Sequence, residues 1–96
     1  MNKPRIIKDF DKISESILEQ IKIAYPFGFE SELIIFKNQH GKFISGLPFE
    51  TEDYYYLIRM TKGEAQQIIE DDEDYNEEGN LKEDILEELN EKYDEE

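Results

Sequence analysis

The carboxylates of the C-terminal part of the chain are the residues whose type and density most directly suggest chemistry. Residues 70–96 hold fifteen Asp and Glu side chains against two lysines, a balance of −13. Residues 1–69 hold nine cationic side chains against ten carboxylates, a balance of −1. Dense carboxylates can ligate hard cations such as Ca²⁺, or they can attract a basic surface. We therefore treat residues 70–96, the acidic segment, as the first candidate for function.

The spacing of oxygen-bearing side chains within the acidic segment resembles the start of an EF-hand calcium loop. Asp74, Asn76 and Glu78 fall at loop positions one, three and five, and Gly79 falls at the turn. Position twelve is Ile85, which cannot supply the bidentate carboxylate that the motif requires. The match therefore fails at its most informative position.

A second register of the same loop fails elsewhere. Starting the loop at Asp72 places Glu83 at position twelve, but it puts Glu77 where the glycine belongs. We keep calcium binding between Asp72 and Glu83, with Asp74, Asn76 and Glu78 as metal ligands, as an alternative. The competing interpretation is a solvated acidic hinge that binds divalent ions loosely. No other cofactor is expected.

Catalysis has little support in the sequence, and we predict a protein without enzymatic activity. The one histidine, His40, lies in a predicted hairpin loop, and the chain has no cysteine. The sequence therefore indicates no catalytic nucleophile with an adjacent general base. Carboxylates are abundant, but none lies in an apolar setting that would push two pKa values apart.

Cellular location follows from two other features of composition. The absence of cysteine fits a reducing compartment, and only Ile6 and Ile7 follow the basic N-terminus, so no apolar signal region is predicted. The longest apolar runs fall far short of a membrane span. We expect a cytoplasmic protein that does not interact with a membrane.

Nucleic acid is not an expected partner, although Tyr54, Tyr55 and Tyr56 could be read as a stacking platform for bases. Attraction between basic side chains and the phosphate backbone normally dominates such binding. The net negative charge of this chain would instead repel the phosphates. A partly buried strand is the simpler interpretation of the three tyrosines.

Apolar periodicity predicts an α+β fold. A helix over residues 12–24, capped by Asp11, has apolar residues at intervals of three and four. Three strands follow as an antiparallel meander, with runs at residues 33–36, 42–47 and 54–60. The first two runs flank a hairpin loop at residues 38–41, and Pro48 should end the second strand or confine it to an edge.

A second helix and an acidic hinge come next. Thr61 and Glu64 form a capping box for a short helix through Ile69, after which the carboxylate run opposes the helix dipole. Beyond Gly79 an amphipathic helix is predicted, whose apolar stripe needs a surface on the head or on a partner. We divide the chain into a small head, residues 1–69, and the acidic segment.

Turn and core residues of the head resemble a group of short acidic bacterial proteins with no established role. These residues are Tyr25-Pro26-Phe27-Gly28, Ile35-Phe36-Lys37-Asn38, Gly41, Pro48, Thr51-Glu52-Asp53 and Tyr56-Leu57. The resemblance covers about residues 10–60 and implies a shared fold without a site. Some such sequences carry a primase label, which this chain does not support because it lacks the zinc ligands and the length. In layout the chain is also similar to the acidic-tailed delta subunit of bacterial RNA polymerase.

These features favour a non-enzymatic accessory or regulatory protein that binds a basic protein surface. The surface could belong to the transcription or replication machinery, with carboxylates presented in place of phosphates. The alternative is an acidic segment that serves solubility only. The predicted partner-binding residues are Asp71, Asp72, Asp74, Leu81, Ile85, Leu86, Leu89 and Tyr93.

Overall fold

Residues 3–93 form four strands and three helices, and the α+β class predicted from the sequence is confirmed. A computed structural model describes residues 3–93. The strands are β1 (Arg5–Asp9), β2 (Ile34–Lys37), β3 (Phe43–Glu50) and β4 (Tyr55–Arg59). The helices are α1 (Glu15–Ala24), α2 (Lys62–Asp71) and α3 (Glu83–Lys92), with short 3₁₀ turns at Phe10–Lys12 and Glu30–Glu32.

The sheet is mixed, in the order β1-β4-β3-β2, so the prediction of a three-stranded antiparallel meander was wrong in strand number and type. Strands β2, β3 and β4 are antiparallel neighbours, but β1 adds a fourth strand that runs parallel to β4. Of the five residues of β1, three are charged, and no apolar alternation marks them as a strand. Their extended conformation depends on pairing with residues about fifty positions later, which local pattern cannot indicate.

Strand β3 continues through Pro48, which was predicted to end it or to confine it to an edge. The pairing with β2 reaches only to Gly46, so the half of β3 that contains Pro48 has β4 as its only neighbour. Because β2 does not pair with this half of β3, the missing N–H of Pro48 removes no hydrogen bond between β2 and β3. The Pro48 carbonyl accepts a hydrogen bond from the Tyr25 hydroxyl at 2.5 Å.

Helix α1 begins three residues later than predicted. Ser14, not Asp11, is its N-cap, and the Ser14 hydroxyl accepts from the Ile17 N–H at 3.2 Å. Asp11 lies in the preceding 3₁₀ turn. Both residue types cap helices well, so the local signal did not separate them.

Helix α2 shows the predicted capping box. The Thr61 N–H donates to the Glu64 carboxylate at 2.8 Å, and the Glu64 N–H donates to the Thr61 hydroxyl at 3.1 Å. The helix runs to Asp71, two residues into the carboxylate run that we expected to end it.

Residues of the sheet, the helices and the acidic segment form one core. Paired strand residues Leu47 and Ile58 are fully buried together with Ile21 of α1. Tyr75 and Leu81 of the acidic segment belong to the same core cluster. The division near residue 70 is thus a division of charge, across which packing is continuous.

Gly46 is the position of the sheet where a side chain would meet the closest contacts. A Cβ atom there would lie 2.8 Å from Cε1 of Phe36 and 3.1 Å from the carbonyl oxygen of Ile58. We expect Gly46→Ala to lower the free energy of unfolding by about 1–3 kcal/mol through overpacking, measured by urea denaturation. The control is Gly63→Ala in α2, where the nearest atom is 4.0 Å away and a gain of up to about 1 kcal/mol is expected. Equal stability of the two variants would contradict the packing argument.

Candidate functional site

The acidic segment is anchored to α1 through a buried lysine. The Lys22 side chain is 9% exposed, and its ammonium nitrogen lies 2.6 Å from Asp72 Oδ2 and 2.8 Å from Asp74 Oδ2. Burial alone would lower the pKa of Lys22, but hydrogen bonds and charge from the two carboxylates outweigh it and raise the pKa above its ordinary value. The lysine therefore stays charged and neutralises part of the segment at its point of attachment.

Two core residues hold the segment next to this ion pair. Tyr75 donates its hydroxyl hydrogen bond to the Tyr25 carbonyl at 3.1 Å, and the Leu81 N–H donates to the Pro26 carbonyl. Burial, together with the neighbouring carboxylates, raises the pKa of Tyr75 well above its ordinary value. Leu81, predicted to contact a partner, is instead buried against the head.

Residues between Tyr75 and Leu81 form a hydrogen-bonded turn. The Asn76 side-chain oxygen accepts from the N–H groups of Glu78 and Asn80, at 2.9 and 3.0 Å. Gly79 has a φ of 84°, a left-handed conformation that glycine adopts without steric cost. The turn presents the Glu78 carboxylate to solvent.

Two of the three predicted calcium ligands already have partners within the protein. Asp74 pairs with Lys22, and Asn76 uses its oxygen to hold the turn itself. Within residues 3–93 no group of three or more His, Asp or Glu side chains is placed to hold a metal ion. A cation bound at these residues would compete with Lys22 for Asp74 and with the backbone N–H groups for Asn76.

The apolar stripe of the C-terminal helix packs on the head. Leu89 is buried, Ile85 and Leu86 are half-buried against the core cluster, and α3 contacts α1. The sequence left open whether the head or a partner covers this stripe. In the structure the head covers it. The predicted partner-binding side chains Leu81, Ile85, Leu86 and Leu89 therefore hold α3 in place.

A polar clamp fixes the C-terminal end of α3. One carboxylate oxygen of Glu19 accepts from the Lys92 ammonium at 2.8 Å and from the Tyr93 hydroxyl at 2.5 Å. These hydrogen bonds, first from Lys92 and then from Tyr93, lower the pKa of Glu19. Tyr93, another predicted partner-binding residue, is half-buried in this clamp.

The opposite side of α3 is an unbroken row of carboxylates. We call it the acidic face: Glu83, Asp84, Glu87, Glu88 and Glu91, all exposed. Asp71 is the only fully exposed member of the predicted partner-binding set, since Asp72 and Asp74 are partly covered in the pair with Lys22. Sequence reasoning missed Lys22, although its place between Ile21 and Ile23, beside the apolar stripe of α1, was a usable signal.

Comparisons with known proteins give no information about the candidate site. No protein-family model, curated protein or solved structure matches this chain. None of the helices within residues 3–93 is long and apolar enough to cross a bilayer. His40, the one histidine, is exposed in the turn between β2 and β3.

Removing the buried lysine should destabilise the protein more than removing an exposed one. We expect Lys22→Met to lower the free energy of unfolding by about 3 kcal/mol, because two partly buried carboxylates lose their counter-charge. Lys12→Met, at an exposed position next to the same helix, should change it by less than about 0.5 kcal/mol. Urea denaturation followed by circular dichroism measures both. Matching midpoints for the two variants would show that the buried pair contributes nothing.

Alkaline pH should unfold the protein because Lys22 and Tyr75 both have raised pKa values in the folded state. The stability from a raised pKa is complete below the unfolded value, near 10.5 for Lys and 10.0 for Tyr, and is lost as pH rises above it. Tyr75→Phe removes one of the two titrating groups, so its loss of stability above about pH 10 should be shallower than in the unmodified chain. Urea midpoints measured across this range check the prediction, and parallel curves for the two proteins would refute the role of Tyr75.

Proposed function

We propose that the protein is a non-enzymatic accessory protein that binds a basic protein surface through the acidic face of α3. The observation that carries the proposal is the orientation of this helix, whose apolar side is held by the head while five carboxylates point outward. Charges fixed on one helix side create a directional potential that steers a cationic surface into register. Asp71 and the exposed carboxylates of the acidic segment extend the same potential.

The fixed position of α3 favours this role over solubility alone. A segment that only keeps a protein soluble needs charge and no docking. Here Leu89 is buried, and Lys92 and Tyr93 are bonded to Glu19, so the carboxylates have a defined geometry. Ordering them before binding reduces the entropy that association would otherwise cost.

The partner chemistry is a protein surface rich in Lys and Arg that otherwise contacts nucleic acid, as in transcription or replication machinery. Carboxylates in a row stand in for phosphates on such a surface, while direct contact of this chain with nucleic acid is opposed by its own charge. The proposal places the protein in the cytoplasm, which suits a chain without cysteine. Calcium binding between Asp72 and Glu83 stays the alternative, in which the cation would compete with Lys22 for Asp74.

A substitution experiment tests the acidic face without disturbing the core. Deleting the acidic segment would remove Tyr75 and Leu81 from the core, so the test uses the full chain. The test variant neutralises three carboxylates of α3: Glu87→Gln, Glu88→Gln and Glu91→Gln. The control makes the same charge change at three exposed positions of the head: Glu32→Gln, Glu52→Gln and Asp53→Asn.

Each protein is immobilised and exposed to a bacterial extract at low salt, and the retained proteins are identified by mass spectrometry. We expect the unmodified chain and the head variant to retain the same basic proteins, and the α3 variant to retain at least about fivefold less of them. Raising the salt should release them, because exposed charge pairs are screened. Equal retention by all three proteins would sink the proposal.

A further inference from the structure

A groove of 850 Å³ lies beside the acidic segment, where β1 and β4 end. One wall is the turn that follows β1, the second is α2, and the third is the beginning of β3. Its volume is within the range of pockets that enclose a ligand or a few side chains of a peptide. The groove is distinct from the acidic face of α3, and sequence reasoning did not identify it.

The groove has an apolar floor with one unusually exposed ring. Phe10 and Ile68 are half-buried there, and Phe43 is 72% exposed. The Lys37 ammonium lies 5.7 Å from the centroid of the Phe43 ring, so the ring already accommodates a cation within cation–π range. An exposed aromatic ring beside apolar neighbours is a surface that gains from burial by a partner.

The rim of the groove is negative. Arg59, the only cation among the lining residues, is paired with Asp9, and the Lys37 ammonium lies beside Phe43 at the other wall. Asp11, Glu64 and Asp71 are left without a cationic partner among the lining residues. Glu64 and Asp71 accept hydrogen bonds from neutral groups only, the Thr61 N–H and the Gln67 amide. Within residues 3–93 no Lys or Arg forms an ion pair with Asp11, Glu64 or Asp71. An apolar floor with a rim of net charge −3 complements a ligand that is apolar in the centre and cationic at its ends.

The groove continues towards the acidic segment. A second depression shares Phe10, Ile68 and Asp71 with it and reaches Asp72 and Asp74 on the other side. The path is therefore longer than one side chain, and carboxylates line both depressions, with Asp72 and Asp74 at the far end paired with Lys22. Such a shape suits an extended peptide better than a compact small molecule.

We propose that this groove binds a basic peptide segment in which apolar side chains are flanked by Lys or Arg. The inference rests on the proposed function because both require a basic partner. It adds that the groove selects among basic sequences. The acidic face of α3 attracts any cationic surface, whereas the groove requires an apolar residue between the charges. Apolar contact with Phe10, Phe43 and Ile68 supplies that requirement, while Asp11 and Asp71 bind the flanking cations.

Fluorescence anisotropy with two labelled hexapeptides tests the groove in the full-length protein. The first peptide is Lys-Arg-Leu-Leu-Arg-Lys, and the second replaces both leucines with serine at equal charge. The groove variant is Asp11→Asn with Asp71→Asn, which removes rim charge at exposed positions. The matched variant Glu87→Gln with Glu91→Gln removes the same charge from α3. Circular dichroism and urea midpoints confirm that both variants fold.

We expect saturable binding of the leucine peptide, with a Kd about tenfold lower than that of the serine peptide. The groove variant should bind the leucine peptide about tenfold more weakly, and the α3 variant should stay within about twofold of the unmodified chain. Equal affinity for the two peptides would mean attraction by charge alone and would overturn the groove. A loss confined to the α3 variant would also overturn it while leaving the proposed function intact. Absence of saturable binding by the unmodified chain would also reject the groove. The proposed function is tested separately, by the retention of basic proteins on the unmodified chain and on the α3 variant.

Discussion

The ammonium of Lys22 and its two carboxylates determine where the most acidic part of the molecule lies. Bringing a lysine into the interior is costly unless counter-charges and hydrogen bonds replace water, and Asp72 with Asp74 provides both. In return, the lysine gives a segment of charge −13 one fixed point of attachment on an otherwise nearly neutral head. Tyr75 and Leu81 then enter the core on the far side of that attachment, and α3 follows. The positions of the exposed carboxylates between Glu77 and Glu91 depend in part on this contact.

Helix α3 places the apolar and the acidic residues of its segment on opposite sides. Its leucines pack against α1, and its carboxylates face no basic surface in the described part of the chain. A helix of this composition would be marginal alone, since like charges at spacings of three and four oppose it. Packing against α1, with Glu19 clamping Lys92 and Tyr93, compensates for that repulsion. A dense charge row is thus maintained in one orientation at moderate cost in stability.

Features set by neighbouring residues were predictable from the sequence, and features set by distant pairings were not. The capping box at Thr61 and the turn that ends at Gly41 follow from residue types a few positions apart, and both are present. Strand β1 exists because β4 lies beside it, and its five residues alone carry no strand signal. The partnership of Lys22 with Asp72 and the groove around Phe43 have the same origin, because each depends on how elements meet in three dimensions. The choice between Asp11 and Ser14 as cap shows that even a local signal is ambiguous when it occurs twice.

The long sequence separations of these contacts also constrain how the chain acquires its structure. Arg59 pairs with Asp9 across 50 positions, Lys22 with Asp74 across 52, and Lys92 with Glu19 across 73. Loop closure of that length must precede the contacts that reward it, which slows folding. During synthesis, β1 must wait for β4, about fifty residues later, and α1 must wait for Asp72, Asp74 and α3. The buried face of α1 stays exposed until α3 has been synthesised, so the nascent chain is open to chaperones or misassociation until then.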